Sequence, residues 1–201
     1  MSPSQPSSSS AADSAAVDIY WLPLGAGGHS VRYNGRLFEW IAARLQHRSR
    51  DDLYHAALEV RVDGARWVIE QAPASRSDRP DRGVLVEGPV GARWAGRWRL
   101  FRYEVRRWRD GTIADIAESV DSPQTLSTDP AAARRLLDAV GELPTAVWGR
   151  DEQHAGEMWN SNSIISWLLA RSDIDPATAR LPPHGRAPGW RAGLMVAGGS
   201  G

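Results

Sequence analysis

The clearest pattern of apolar and polar positions runs through LYHAALEVRV, residues 53–62. One face of this segment carries Tyr54, Ala56, Leu58, Val60 and Val62, and the other carries His55, Ala57, Glu59 and Arg61. A period of two residues is typical of a strand, because successive side chains point to opposite faces of a sheet. The pattern therefore predicts a strand whose second, more polar face either meets water or lines a cleft.

An Asp-Gly dipeptide follows this strand and is a strong signal for a two-residue hairpin turn, so ARWVIEQA is predicted to be the return strand. Val62 would then face Ala65, and Ala57 would face Glu70. This register places Glu70 on the same face as His55, one diagonal away, at about 7–8 Å between backbones. The hairpin therefore predicts a His/Glu pair within side-chain reach, on a face that is solvated or belongs to a cleft.

Helical spacing of apolar residues predicts helices over residues 36–46, after Asp129-Pro130 up to about Gly141, and from about Ser161 onward. Short apolar or alternating runs predict four further strands: VDIYWLPL, GVLVEG, WRLFRYEVRRW and, near the end, GLMVA. Strands cluster in the middle, with helices before and after them. This order predicts an α+β fold with an antiparallel sheet packed with helices, and not alternating βαβ units.

The chain has 201 residues, of which 42% are hydrophobic, including ten tryptophans, and this is enough for one domain with a core. Residues 1–16 are rich in Ser, Pro and Ala and are predicted to be a disordered tail. Residues 17–197 are predicted to form a single α+β domain. Within it, residues 73–156 form an insertion-like stretch that matches no recognised pattern.

Charge and residue usage exclude several classes of function. The formal net charge is zero, which argues against nucleic acid as a partner, although the arginines and aromatic residues of ARWAGRWRLFRYEVRRWR alternate as in some RNA-binding segments. The absence of cysteine excludes disulfides and thiol nucleophiles. The histidine spacing fits no metal motif, and GAGG lacks the rest of a phosphate loop, so we expect no metal and no cofactor. No secretory signal and no membrane span are predicted, so a cytoplasmic location is the expectation.

Four small polar residues, Asn160, Ser161, Asn162 and Ser163, stand at the start of the helix in EMWNSNSIISWLLAR. Asn and Ser are common at helix starts because their side chains accept hydrogen bonds from the free amides there, so they could serve only as caps. A helix N-terminus also carries a partial positive charge and can hold a nucleophile and stabilise an anion. Both interpretations are open at this point.

The hairpin and this helix start occur in an informative order. DLYHAALEVRVDGARWVIE and WNSNSIISWLL together resemble the circularly permuted papain-like group, which includes PPPDE isopeptidases and lecithin–retinol acyltransferase relatives. In that group a histidine opens a strand that leads into a tight turn, and a downstream cysteine flanked by asparagines begins a helix. VDIYWLPL is similar to the first strand of the group. Ser161 stands in the position of the cysteine.

The resemblance implies a hydrolase or acyltransferase acting on amide or ester bonds of a peptide or protein substrate. Ser161 would be the nucleophile, His55 the general base and Glu70 the orienting carboxylate. Asn160, Asn162 and Ser163 would form the cleft, and amides near Ser161 to Ser163 would be the oxyanion donors. Serine is a much weaker acid than cysteine, so it needs a true general base. The alternatives are an inactive papain-like relative that binds a peptide or protein partner, and an α+β domain without an active site.

Overall fold

Six antiparallel strands and three helices make up the computed structural model, which describes residues 14–23, 53–74 and 83–199. The strands are β1 (Ala16–Pro23), β2 (Tyr54–Val62), β3 (Ala65–Pro73), β4 (Val84–Pro89), β5 (Arg102–Arg109) and β6 (Val120–Ser127). The helices are α1 (Pro130–Ala139), α2 (Ser161–Arg171) and α3 (Trp190–Gly198). The strands form one sheet in the order β4-β5-β3-β2-β1-β6. The predicted α+β class with an antiparallel sheet in a single domain is confirmed.

The hairpin between β2 and β3 has the predicted register at its turn, where Val62 pairs with Ala65. Both turn residues have positive φ, 53° for Asp63 and 67° for Gly64, as the favoured two-residue hairpin turn requires. Pairing between the two strands stops at Leu58, opposite Ile69. The predicted pair of Ala57 and Glu70 is the next one in this register, but the paired residues end before it. On its other edge β3 pairs with β5, where Glu70 lies opposite Arg106.

The two faces of the sheet are covered differently. One face of the sheet packs against the helices and forms the main core with them. The residues that β2 contributes to this core are Tyr54, Ala56, Leu58, Val60 and Val62. The opposite face carries a smaller apolar cluster, formed by Tyr20, Leu22, Ala57, Val68 and Ile113. Because side chains alternate along a strand, His55 lies on this second face with Ala57. The face is not simply solvated, since Glu59 on it is only 9% exposed.

The stretch 73–156 contributes β4, β5, β6 and α1, so it is an integral part of the sheet and core. Helix α1 begins as predicted, with the Asp129 carboxylate accepting hydrogen bonds from two amides of its first turn and Pro130 at its first position. Strand β6 was not predicted, because Pro123 within it breaks the usual pattern; proline is tolerated there since β6 is an edge strand.

Two predicted strand segments are helical. GLMVA lies within α3, because a short apolar run fits a buried helix as well as a strand. In the predicted strand WRLFRYEVRRW, residues Arg99–Phe101 form a 3-10 turn that precedes β5, and a second 3-10 turn, Arg93–Arg97, lies just before this segment. The predicted helix 36–46, the GAGG segment and residues 1–13 of the predicted tail lie outside the described residues. Within the described part of the chain, no helix is long and apolar enough to cross a membrane.

Candidate functional site

The start of α2 is held by a reciprocal cap. The Asn160 side-chain oxygen accepts hydrogen bonds from the amides of Asn162 (2.9 Å) and Ser163 (3.3 Å), and the Ser163 hydroxyl accepts one from the Asn160 amide (3.1 Å). The capping interpretation therefore holds for Asn160 and Ser163. The cap also occupies the amides of Asn162 and Ser163, so these two amides are not free to act as oxyanion donors.

Asn162 connects the helix start to the strand that bears His55. Its side-chain oxygen accepts a hydrogen bond from the Ala56 amide (2.9 Å), and its side-chain nitrogen donates to the carbonyls of Tyr54 (2.9 Å) and Pro188 (3.0 Å). These bonds form where β2 has separated from β3, so the Asn162 amide satisfies backbone groups that a neighbouring strand would otherwise satisfy. The start of α2 is therefore bound to the residues on both sides of His55.

The segment RAPGW, residues 186–190, completes this junction, and no sequence pattern described above predicts this contact. Its backbone carbonyls accept four further hydrogen bonds. The Tyr54 amide donates to the Arg186 carbonyl (2.9 Å), and the Asn160 side chain donates to the Pro188 carbonyl (2.8 Å). The hydroxyls of Ser163 and Ser166 donate to the carbonyls of Gly189 and Trp190, each at 2.7 Å. The usable sequence signal was Gly189, whose φ of 87° favours glycine at the turn before α3.

Ser161 differs from its neighbours in this junction. It is the first residue of α2 and is partly exposed, and its hydroxyl and amide make no hydrogen bond with any of the residues the structure describes. The Asn162–Ala56 hydrogen bond limits the distance between the Ser161 Cα and the Ala56 nitrogen to about 10 Å, given ordinary covalent lengths. Ser161 therefore combines a free hydroxyl, a free amide and a location near the start of β2.

His55 is partly buried at the start of β2. Burial lowers the pKa of its imidazole to about 4, and the negative charge of Asp115 acts in the opposite direction. The ring is therefore neutral near neutral pH, with a free lone pair that can accept a proton. Asp115 was missed by the sequence analysis; it lies in the loop between β5 and β6 with a φ of 57° and matches no motif.

Glu70 lies on the face of His55, as predicted, but has a different partner. Its carboxylate pairs with the Arg106 guanidinium at 3.2 Å. Arg106 also pairs with Glu104, which is only 2% exposed. Across the described ranges no hydrogen bond joins Ser161, His55 and Glu70 to one another. The structure thus places Glu70 in a buried ion-pair cluster, while the carboxylate whose charge acts on His55 is Asp115.

Comparisons with protein-family models, with curated proteins and with solved structures found no match. Nor does the described part of the chain contain a group of three or more His, Asp or Glu side chains that could hold a metal ion.

Proposed function

We propose that the protein is a hydrolase or acyltransferase of the permuted papain-like type, with Ser161 as its nucleophile. One observation carries the proposal: Ser161 has a free hydroxyl in a helix start whose other polar side chains are all bonded, and that start is fixed to both sides of His55. A structural cap would not require this fourth polar residue. The resemblance of the two segments to the permuted papain-like group supports the same assignment.

In the proposed reaction the Ser161 oxygen attacks the carbonyl carbon of an amide or ester in a peptide or protein substrate, and His55 accepts the hydroxyl proton. His55 then returns the proton to the leaving amine or alcohol. In the second half-reaction His55 accepts a proton from water or an acceptor alcohol, whose oxygen attacks the acyl carbon, and the bond to the Ser161 oxygen breaks as His55 returns the proton to that oxygen. The free Ser161 amide and the positive end of α2 stabilise the oxyanion. The neutral imidazole is in the form that a general base requires.

In this proposal the carboxylate that assists His55 is that of Asp115 and not that of Glu70. The charge of Glu70 is compensated by Arg106, whereas the charge of Asp115 already favours protonated His55. Asp115 therefore stabilises the imidazolium that forms during attack. Because the pairing of β2 with β3 ends at Leu58, Asn162 at the start of α2 bonds directly to the β2 backbone beside His55, with no strand of the described residues between them.

A second candidate is an inactive relative in which the same junction binds a peptide or protein partner. Two observations favour it. The His55 side chain lies on the face of the sheet opposite to the helices, and no hydrogen bond joins it to Ser161 in the ranges the structure covers. Serine in place of cysteine also removes thiol chemistry.

A fluorophosphonate probe separates these candidates, since a working serine displaces fluoride from phosphorus and becomes labelled. We expect labelling of the wild type, none for Ser161→Ala and a strong reduction for His55→Ala. Asp115→Asn should reduce the rate more than Glu70→Gln does. Ser119→Ala, at another partly exposed serine, is the matched control and should label normally. Labelling that survives Ser161→Ala rejects the assignment, and a folded wild type that never labels favours the binding candidate.

A further inference from the structure

The two 3-10 turns between β4 and β5 expose an unusual number of large apolar side chains. Trp94 is 67% exposed, Trp98 44%, Leu100 75% and Phe101 43%. Single exposed apolar residues are normal, but contiguous apolar patches on a monomer usually mark an interaction surface. We call these four residues, together with Arg97, the exposed ridge.

The ridge is held firmly by the rest of the domain. Ala95 beneath it is buried, and Gly96 packs so closely on Pro89 that an added Cβ would lie 2.8 Å from the Pro89 Cβ. Arg93 forms two hydrogen bonds with the Glu152 carboxylate, at 2.7 and 2.8 Å. A backbone hydrogen bond also fixes the end of the ridge at Phe101, since the Val90 amide donates to the Phe101 carbonyl at 2.8 Å. Its exposure is therefore a built feature of the fold.

The charge of this segment is one-sided. Residues 93–101 contain Arg93, Arg97 and Arg99 and no acidic residue, whereas the whole chain has zero net charge. Arg93 is compensated by Glu152, and the Arg97 guanidinium lies 3.9 Å from the centre of the Trp98 ring. The apolar ridge therefore carries the positive charge of Arg97 and no acidic residue, which complements an anionic surface.

We propose that the exposed ridge docks on an anionic lipid surface. Tryptophan is favoured at the membrane–water interface, leucine and phenylalanine enter the acyl boundary, and arginine attracts anionic headgroups. The ring geometry favours lipid over single-stranded nucleic acid, which needs open ring faces for stacking. Trp94 and Trp98 meet edge to face at 82°, Arg97 covers one face of Trp98, and the most exposed side chain, Leu100, offers no ring at all.

Vesicle flotation tests the proposal with the full-length protein. Vesicles of phosphatidylcholine with phosphatidylglycerol should carry the protein upward, and vesicles of phosphatidylcholine alone should bind it at least tenfold less. The double variant Trp94→Ser/Leu100→Ser should lose at least tenfold in affinity for the anionic vesicles, because its two side chains supply the largest exposed apolar surface. Arg97→Gln should weaken binding and reduce its salt dependence.

Leu181→Ser is the matched control, since Leu181 is also exposed (40%) but lies outside the ridge, and it should bind like the wild type. Each variant is first checked for an unchanged melting temperature. The proposal is overturned if the folded wild type does not float with anionic vesicles, or if the double variant floats as well as the wild type. Tight binding of single-stranded RNA that the double variant abolishes, with no vesicle binding, would reassign the ridge to nucleic acid.

Discussion

Removing the Asn162 side chain is the sharpest test of the junction between α2 and β2. Asn162 is 2% exposed and bonds to the Ala56 amide and to the carbonyls of Tyr54 and Pro188. Asn162→Ala leaves the buried amide of Ala56 without this partner and removes the hydrogen bonds to the Tyr54 and Pro188 carbonyls. An unsatisfied buried donor costs about 1–3 kcal/mol and each lost hydrogen bond about 0.5–1.5 kcal/mol, so we expect the free energy of unfolding to fall by about 3–4 kcal/mol. For a chain of this length that corresponds to a loss of roughly 6–16 °C in melting temperature.

Urea unfolding followed by circular dichroism measures this change, with two variants for comparison. Ser161→Ala should change the free energy of unfolding by less than about 0.5 kcal/mol, because its hydroxyl has no partner in the described structure. Asn160→Ala should lie between the two, near the 1–2 kcal/mol typical of a lost cap. A loss below about 1 kcal/mol for Asn162→Ala would refute the reasoning, because the backbone of β2 would then have other partners.

Three further predictions concern packing, pH and buried charge. Gly193→Ala should destabilise the fold by several kcal/mol, because the added Cβ would lie 2.0 Å from the Ser163 carbonyl oxygen. Gly198→Ala is the control and should not destabilise the fold, because open space surrounds Gly198. Equal urea midpoints for the two variants would contradict this prediction. Because the folded pKa of His55 is about 4 and its ordinary value is 6.5, its contribution to stability is lost as pH falls from about 6.5 to 4, by at most about 3 kcal/mol. His55→Gln should remove that part of the pH dependence, and identical stability profiles would contradict the lowered pKa. Arg106→Met should cost about 3–5 kcal/mol by removing the guanidinium that pairs with both Glu70 and Glu104. A loss below about 1 kcal/mol in urea unfolding would contradict this prediction.

The parts of the fold that the sequence predicts are those that local patterns determine. Alternation identified β2, the Asp-Gly turn set its register with β3 near Val62, and Asp129-Pro130 marked the start of α1. Each of these signals lies within a few residues of the structure that it specifies. The small polar residues at the start of α2 likewise predict the cap that Asn160 and Ser163 form.

The remaining features depend on contacts between distant parts of the chain. The pairing of β2 with β3 ends at Leu58 because the backbone groups of Tyr54 and Ala56 bond to Asn162 and Arg186, which are distant in sequence. The ion pair of Glu70 with Arg106 likewise joins two separate strands. The bond between Asn162 and β2 spans more than a hundred residues and has no local pattern. The charge of Asp115 near His55 arises in the same way, from a loop brought to the second face of the sheet.

Ser161→Cys tests the proposed nucleophile most directly, since it introduces a thiol into a chain that has no cysteine. The rate of iodoacetamide alkylation across pH gives the thiol pKa, and Ala131→Cys in the exposed first turn of α1 serves as a control that shares only the helix N-terminus. We predict that the pKa at position 161 falls from about 8.5 to below about 7, because the positive end of α2 favours the thiolate and the thiolate in turn stabilises the imidazolium that forms when neutral His55 accepts the thiol proton. Adding His55→Ala should therefore raise the thiol pKa again. If the thiol at position 161 titrates like the control, and His55→Ala changes nothing, Ser161 is only the first residue of a capped helix.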